Sequence, residues 1–142
     1  MSVVNIRHLR LSDETRVVSL LKQLTSAQCN TPAFTRYVQS LTIHHCHFVI
    51  ECNGSVVGTA TLILEPKIIH NFSSVGHIED VVIDKSARGL GLGKKLIKYI
   101  LLYAKEQGAY KVILDCDAEH GLVKFYSSCG LRKSNIQMSA YF

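Results

Sequence analysis

The segment Arg88-Gly89-Leu90-Gly91-Leu92-Gly93 constrains this chain more than any other. It stands between an apolar run, Val81-Val82-Ile83, and a stretch in which Leu92, Leu96, Ile97, Ile100 and Ala104 recur at helical spacing. Lys94, Lys95, Lys98 and Lys105 fall mostly on the opposite side, and Gly108 supplies a stop. A strand, a glycine turn and a helix in that order let main-chain N–H groups converge at a helix N-terminus, where the dipole also favours negative charge. The unit predicts a phosphate or pyrophosphate site. A Walker A loop is excluded, because it would need glycine at Arg88 and Ser or Thr at Lys95. The dinucleotide fingerprint is excluded because it would need glycine at Lys94.

Length and charge agree with a small anion-binding protein. The 142 residues are expected to form one domain spanning 1–142, and 47% hydrophobic against 19% charged residues is enough for a real core. Sixteen Lys and Arg against 11 Asp and Glu give +5, favouring an anionic partner. The cations are scattered, which weighs against a polybasic membrane anchor, and no apolar run approaches the roughly 20 residues of a membrane helix. Without Trp, or aromatics interleaved in a basic strand, no nucleic-acid stacking platform is evident. Neither a nucleic-acid nor a membrane partner is expected.

Five cysteines (Cys29, Cys46, Cys52, Cys116, Cys129) contain no Cys-x-x-Cys, and no secretory leader is visible; the expectation is a reducing, cytoplasmic setting. His44, His45, Cys46, His47 and Cys52 have metal-ligand chemistry but lack finger spacing, and alternation along a strand would split them between faces. No metal is expected. Acyl transfer through Cys116 or Cys129 would need an activating base or cation, and no specific one is indicated.

The remaining pattern predicts a three-layer α/β architecture. Val3 to Leu9 reads as a strand, followed by a helix capped by Ser12 with Asp13 and Glu14 in its first turn. A second helix is expected after Thr31-Pro32, as cap and first-position proline, through Leu41. Asn53-Gly54 between β-rich runs predicts a hairpin. Gly76 to Asp84 reads as a strand, Gly93 to Gln107 as a helix, Lys111 to Cys116 as a strand, Leu122 to Ser128 as a helix, and Asn135 to Phe142 as a last strand. Strand alternation sends Glu79 and Asp80 to opposite faces.

The loop fits Arg/Gln-x-x-Gly-x-Gly and resembles the pyrophosphate loop of the GNAT superfamily of acetyl-CoA-dependent N-acetyltransferases. Its neighbours sharpen the likeness. Lys67-Ile68-Ile69-His70, Gly76-His77-Ile78-Glu79-Asp80-Val81-Val82, Tyr110-Lys111-Val112-Ile113-Leu114-Asp115-Cys116 and Phe125-Tyr126-x-x-Cys129-Gly130 resemble the glucosamine-6-phosphate N-acetyltransferase family, in family order from Lys67 to Met138. The resemblance implies an α-β-α fold whose mixed, mostly antiparallel sheet splays at the acetyl-CoA site. It also implies a homodimer that acetylates glucosamine 6-phosphate by direct transfer on the route to UDP-N-acetylglucosamine. A GNAT enzyme acting on a protein or another small amine would share the loop, but Lys67 to His70 and Glu79-Asp80 favour the sugar phosphate.

Acetyl transfer needs a neutral amine, a polarised carbonyl and a donor for the departing thiolate. By resemblance, Arg88, Gly89, Leu90, Gly91, Leu92, Gly93 and Lys94 bind the CoA pyrophosphate, and the backbone of Val81, Val82 and Ile83 holds pantetheine and the thioester oxygen. The same resemblance sets Glu79, Asp80 and Asp115 by the sugar amine and Tyr126 near the thioester sulfur as proton donor. Lys67, Ile68, Ile69, His70, Tyr110 and Lys111 match the sugar-phosphate region, and Thr25 is a further candidate. Two features depart from the family. Ser139-Ala140-Tyr141-Phe142 lacks the C-terminal arginine that reaches across the dimer, and Asp117 to Val123 is longer and lacks an asparagine before the valine.

Overall fold

The computed structural model describes residues 1–142. Five strands lie in the order of the chain: β1 (Val4–His8), β2 (His45–Cys52), β3 (Ser55–Pro66), β4 (Ser74–Ile83) and β5 (Ala109–Ile113). The first four are antiparallel, and β5 is parallel to β4. Helices α1 (Glu14–Leu21) and α2 (Thr31–Ser40) cover one face, while α4 (Leu92–Glu106) and α5 (Leu122–Ser128) cover the other. Between β3 and β4 runs a short turn, α3 (Ile69–Phe72), in which His70, Asn71 and Phe72 have left-handed φ of 53°, 59° and 58°. This is the expected three-layer architecture with a mixed, mostly antiparallel sheet. No helix is long and apolar enough to cross a membrane.

Each face has its own core. Phe48 and Ile50 of β2 pack with Leu62, Leu96, Ile97 and Ile100 on the α4 side, while Val49 between them joins Val17, Leu20 and Val56 on the α1 side. That is strand alternation in a sheet buried on both faces. The Asn53-Gly54 hairpin forms as expected, both residues taking the positive φ, 51° and 80°, that a two-residue turn requires.

Four local expectations need correction. Ser12 does not cap α1; the chain enters through a 3-10 turn (Leu11–Asp13), and Asp13 spends its carboxylate on Arg7 and the Arg10 amide. The cap of α2 is Asn30, whose side chain accepts from the Ala33 amide at 3.1 Å, so Thr31 is already helical. β5 stops at Ile113: its ladder with β4 ends at His77↔Ile113, and β4 continues to Ile83 with only β3 beside it. The segment 135–142 forms no strand, as no other strand of the chain runs beside it; Ile136, Met138 and Tyr141 stand about nine-tenths exposed.

Candidate active site

The site begins with a fault in β4. Thr61 pairs with Glu79 and Thr59 with Val82, so Asp80 and Val81 together oppose Ala60. This is a β-bulge, and its extra residue, Asp80, has a left-handed φ of 50°. An added residue reverses the alternation that follows it. Ile78 packs on the α4 side, whereas Val82, four residues on, packs on the α1 side. Glu79 and Asp80 are therefore not separated by the sheet, as regular alternation would require; both open onto one cleft.

That cleft, about 920 Å3, lies where β4 has lost its parallel neighbour. Ile78 to Ile83 keep β3 on one side and have no strand on the other, the splay expected of this fold. Across the gap stand Leu114, Asp115 and Cys116, with Tyr126 from α5. Asp115 accepts a hydrogen bond from Gln137 Nε2 at 3.0 Å. Burial, and then the charges of Asp80 and Asp115, raise the pKa of Glu79 above the ordinary carboxylate value. The Tyr126 phenol is pushed up to about 12, chiefly by burial, and its hydroxyl has no hydrogen-bond partner within the chain.

Beyond Ile83 the strand leads into the glycine turn. Asp84 accepts from the Ser86 amide at 2.9 Å and from Arg16, and Gln23 Oε1 accepts from the Lys85 amide at 3.1 Å, so α1 and the loop after it brace the junction. Gly89 and Gly91 have φ of 79° and 76°, which L-residues seldom adopt. From Arg88 to Lys94 no backbone amide has an acceptor within the chain, and they open at the start of the 15-residue α4. Amides so arranged fit a pyrophosphate. Gly93 has a different purpose: a Cβ there would lie 3.1 Å from Phe125 Cζ, so its absence lets α5 close on α4.

The structure thus gathers Glu79, Asp80, Val81, Val82, Ile83, Asp115 and Tyr126 with the glycine turn around one cleft. Leu90 is not among its walls and points outward, 67% exposed. The predicted sugar-phosphate group lies elsewhere, around the first residues of β4 and β5. His70 stacks on Tyr110 with ring centroids 4.0 Å apart, and Lys111 Nζ is 5.7 Å from the Tyr110 centroid. Lys67 is engaged by Glu65, which also meets His77 Nε2 at 2.7 Å. Ile68 and Ile69 are exposed, and Thr25 lies outside the cleft. Tyr110 and Lys111 open instead onto a second groove of about 780 Å3, shared with Arg132 and Lys133. Sequence reasoning did not assign Gln23, Leu24, Cys116 and His120 to the cleft, although all four line it. Cys116 follows Asp115 directly in the motif from Tyr110 to Cys116, whereas Gln23 and Leu24, from the loop after α1, and His120 reach the cleft only through tertiary packing.

Comparison with known proteins agrees with this geometry. Residues 15–131 match the Acetyltransferase (GNAT) family. The chain is 38% identical over 144 residues to glucosamine 6-phosphate N-acetyltransferase of Arabidopsis thaliana, covering 96% of this chain and 95% of that protein. It is 35% identical over 142 residues to the Candida albicans protein of the same name, covering 96% and 94%. The crystal structure of the Arabidopsis thaliana protein superposes with a TM-score of 0.91 at 37% identity over 99% of each chain. With a family match over residues 15–131 and near full-length relatives at 35–38% identity, the chain belongs to the GNAT family of acetyltransferases.

Proposed function

We propose that this protein transfers the acetyl group of acetyl-CoA to the amine of glucosamine 6-phosphate, releasing N-acetylglucosamine 6-phosphate and CoA. One observation carries the reading: a single cleft joins a row of unpaired amides to three carboxylates, Glu79, Asp80 and Asp115. Such a cleft suits a pyrophosphate-bearing donor and a cationic amine, and the choice of amine follows the relatives in plants and yeast. The route it serves is that toward UDP-N-acetylglucosamine. Five unpaired thiols suit a cytoplasmic setting.

Acetyl-CoA supplies an activated thioester. In this reading the amides of Arg88 to Lys94, with the Arg88 and Lys94 cations, hold its pyrophosphate. The free edge of Val81, Val82 and Ile83 aligns the thioester for direct transfer with both reactants bound. The three carboxylates hold the ammonium, and Glu79, whose proton affinity is raised, takes its proton. Tyr126 faces the departing sulfur. A phenol near 12 stays protonated at neutral pH, and handing its proton to a thiolate of pKa about 8.5 is uphill by roughly 3.5 units. Tyr126 therefore serves by donating a hydrogen bond to the thiolate.

Lys67, Ile68, Ile69, His70, Tyr110 and Lys111 enter this reading through a homodimer, a second copy bringing its sugar-phosphate group to the cleft of the first. The exposed apolar side chains of segment 135–142 and the unpaired outer edge of β5 support such an assembly. The test is turnover of purified protein with acetyl-CoA and a panel of amines, following free CoA. Saturable activity on glucosamine 6-phosphate is expected; activity on peptide amines with none on the sugar phosphate would overturn the reading.

A further inference from the structure

On the α1–α2 side of the sheet lies a polar row that the proposed chemistry does not use. His47 pairs with Thr61, and Thr61 with Glu79, in register across β2, β3 and β4. Directly opposed residues leave an antiparallel sheet on the same face, so this row runs from a buried imidazole to the cleft. His47 is 5% exposed and Thr61 6%. A buried imidazole requires matched partners on both nitrogens.

The partners also fix its tautomer. The Thr59 hydroxyl donates to the Phe48 carbonyl oxygen at 2.9 Å, leaving only lone pairs for the imidazole 2.6 Å away. His47 Nε2 is therefore the donor, and the bare Nδ1 accepts from the Tyr37 hydroxyl at 2.9 Å. Thr61 Oγ1 stands 3.5 Å from the same nitrogen. Donors thus run in one direction, from Tyr37 on α2 through His47 to Thr59 and the backbone of β2. His45 Nε2 lies 3.5 Å from the Tyr37 hydroxyl, Asp13 acts electrostatically on His47, and the charge of Asp80 reaches Tyr37. α2 is in this way tied to β2 and β3, and β3 pairs directly with β4, which carries both cleft acids.

We infer that Tyr37 and His47 are positioning residues for the acceptor amine, their hydrogen-bond chain holding α2 and the β2–β3–β4 row at the spacing that Glu79 and Asp80 require. The inference rests on Glu79 and Asp80 being the acids that hold the amine. Steady-state kinetics of the full chain test it. Tyr37→Phe keeps the ring and removes the donor; the KM for glucosamine 6-phosphate should rise about 3- to 10-fold, as expected for one lost hydrogen bond, with the KM for acetyl-CoA unchanged. His47→Asn leaves an acceptor near the place of Nδ1 and should retain more acceptor affinity than His47→Leu. Glu79→Gln is measured in parallel. Loss of turnover there, with an unaltered acceptor KM in Tyr37→Phe, overturns the inference, and Tyr37→Phe alone decides it where His47→Leu does not fold. Full turnover in Glu79→Gln would instead overturn the site assignment beneath it.

Discussion

Acidification should expose the buried imidazole as a loss of stability. His47 has its pKa lowered from 6.5 to about 4, first by burial and then by the neighbouring His45, with Asp13 acting the other way. Below 6.5 the unfolded chain binds a proton that the native protein refuses until about 4, so stability falls as pH falls through that window. The whole gap, 6.5 against 4, amounts to about 3.4 kcal/mol, of which about 1.8 kcal/mol is lost between pH 7 and pH 5. With an unfolding entropy of roughly 0.3 kcal/mol/K for 142 residues, that loss is about 6 °C in Tm. Asp13, Glu51, Glu65 and Asp84 are held below the ordinary carboxylate range, so their losses come at lower pH. Glu79, with a raised pKa, loses stability as pH rises, and this contribution is common to wild type and variant. Thermal melts at pH 7 and 5 and constant ionic strength, for wild type and His47→Asn, isolate the imidazole. The wild type should lose about 6 °C more than the variant. Equal losses would refute a native state that keeps His47 neutral.

Three further outcomes concern the cleft. Asp80→Asn removes a charge while keeping a residue tolerant of the 50° φ, so Tm should hold within about 2 °C while turnover falls. Because Asp80 raises the Glu79 pKa, the acid limb of the rate profile should move to lower pH, and a fixed limb would exclude Glu79 as the group behind it. Tyr126→Phe removes a hydrogen-bond donor to the developing thiolate and should cut turnover by about 100-fold with little change in acetyl-CoA KM; undiminished turnover would remove Tyr126 from the mechanism. Gly91→Ala meets no atom within 4 Å but keeps a φ of 76°, so it should cost about 1–2 kcal/mol of stability and weaken CoA binding, both readable by calorimetry.

Much of this protein is written in short-range pattern. The glycine turn, the start of α4 beside it and the Asn53-Gly54 hairpin depend on φ preferences and apolar spacing within a few residues, so the sequence alone determines them. The types of the site groups are equally legible, because an amide nest, adjacent acids and a tyrosine keep their chemistry wherever they are placed. Their arrangement is not. Glu79 and Asp80 share a cleft only because β4 carries one residue more than β3 at Ala60, a mismatch that exists only once two strands are paired. The raised pKa values of Glu79 and Tyr126 arise from burial and charges contributed by separate segments. Likewise, His47 reads locally as one of several metal-ligand types, and only the positions of Tyr37 and Thr59 make it a neutral, directional hydrogen-bond partner. Tertiary structure alone also sets the Lys67, His70 and Tyr110 group apart from the cleft, since distance between segments is a property of the packed sheet and not of residue order.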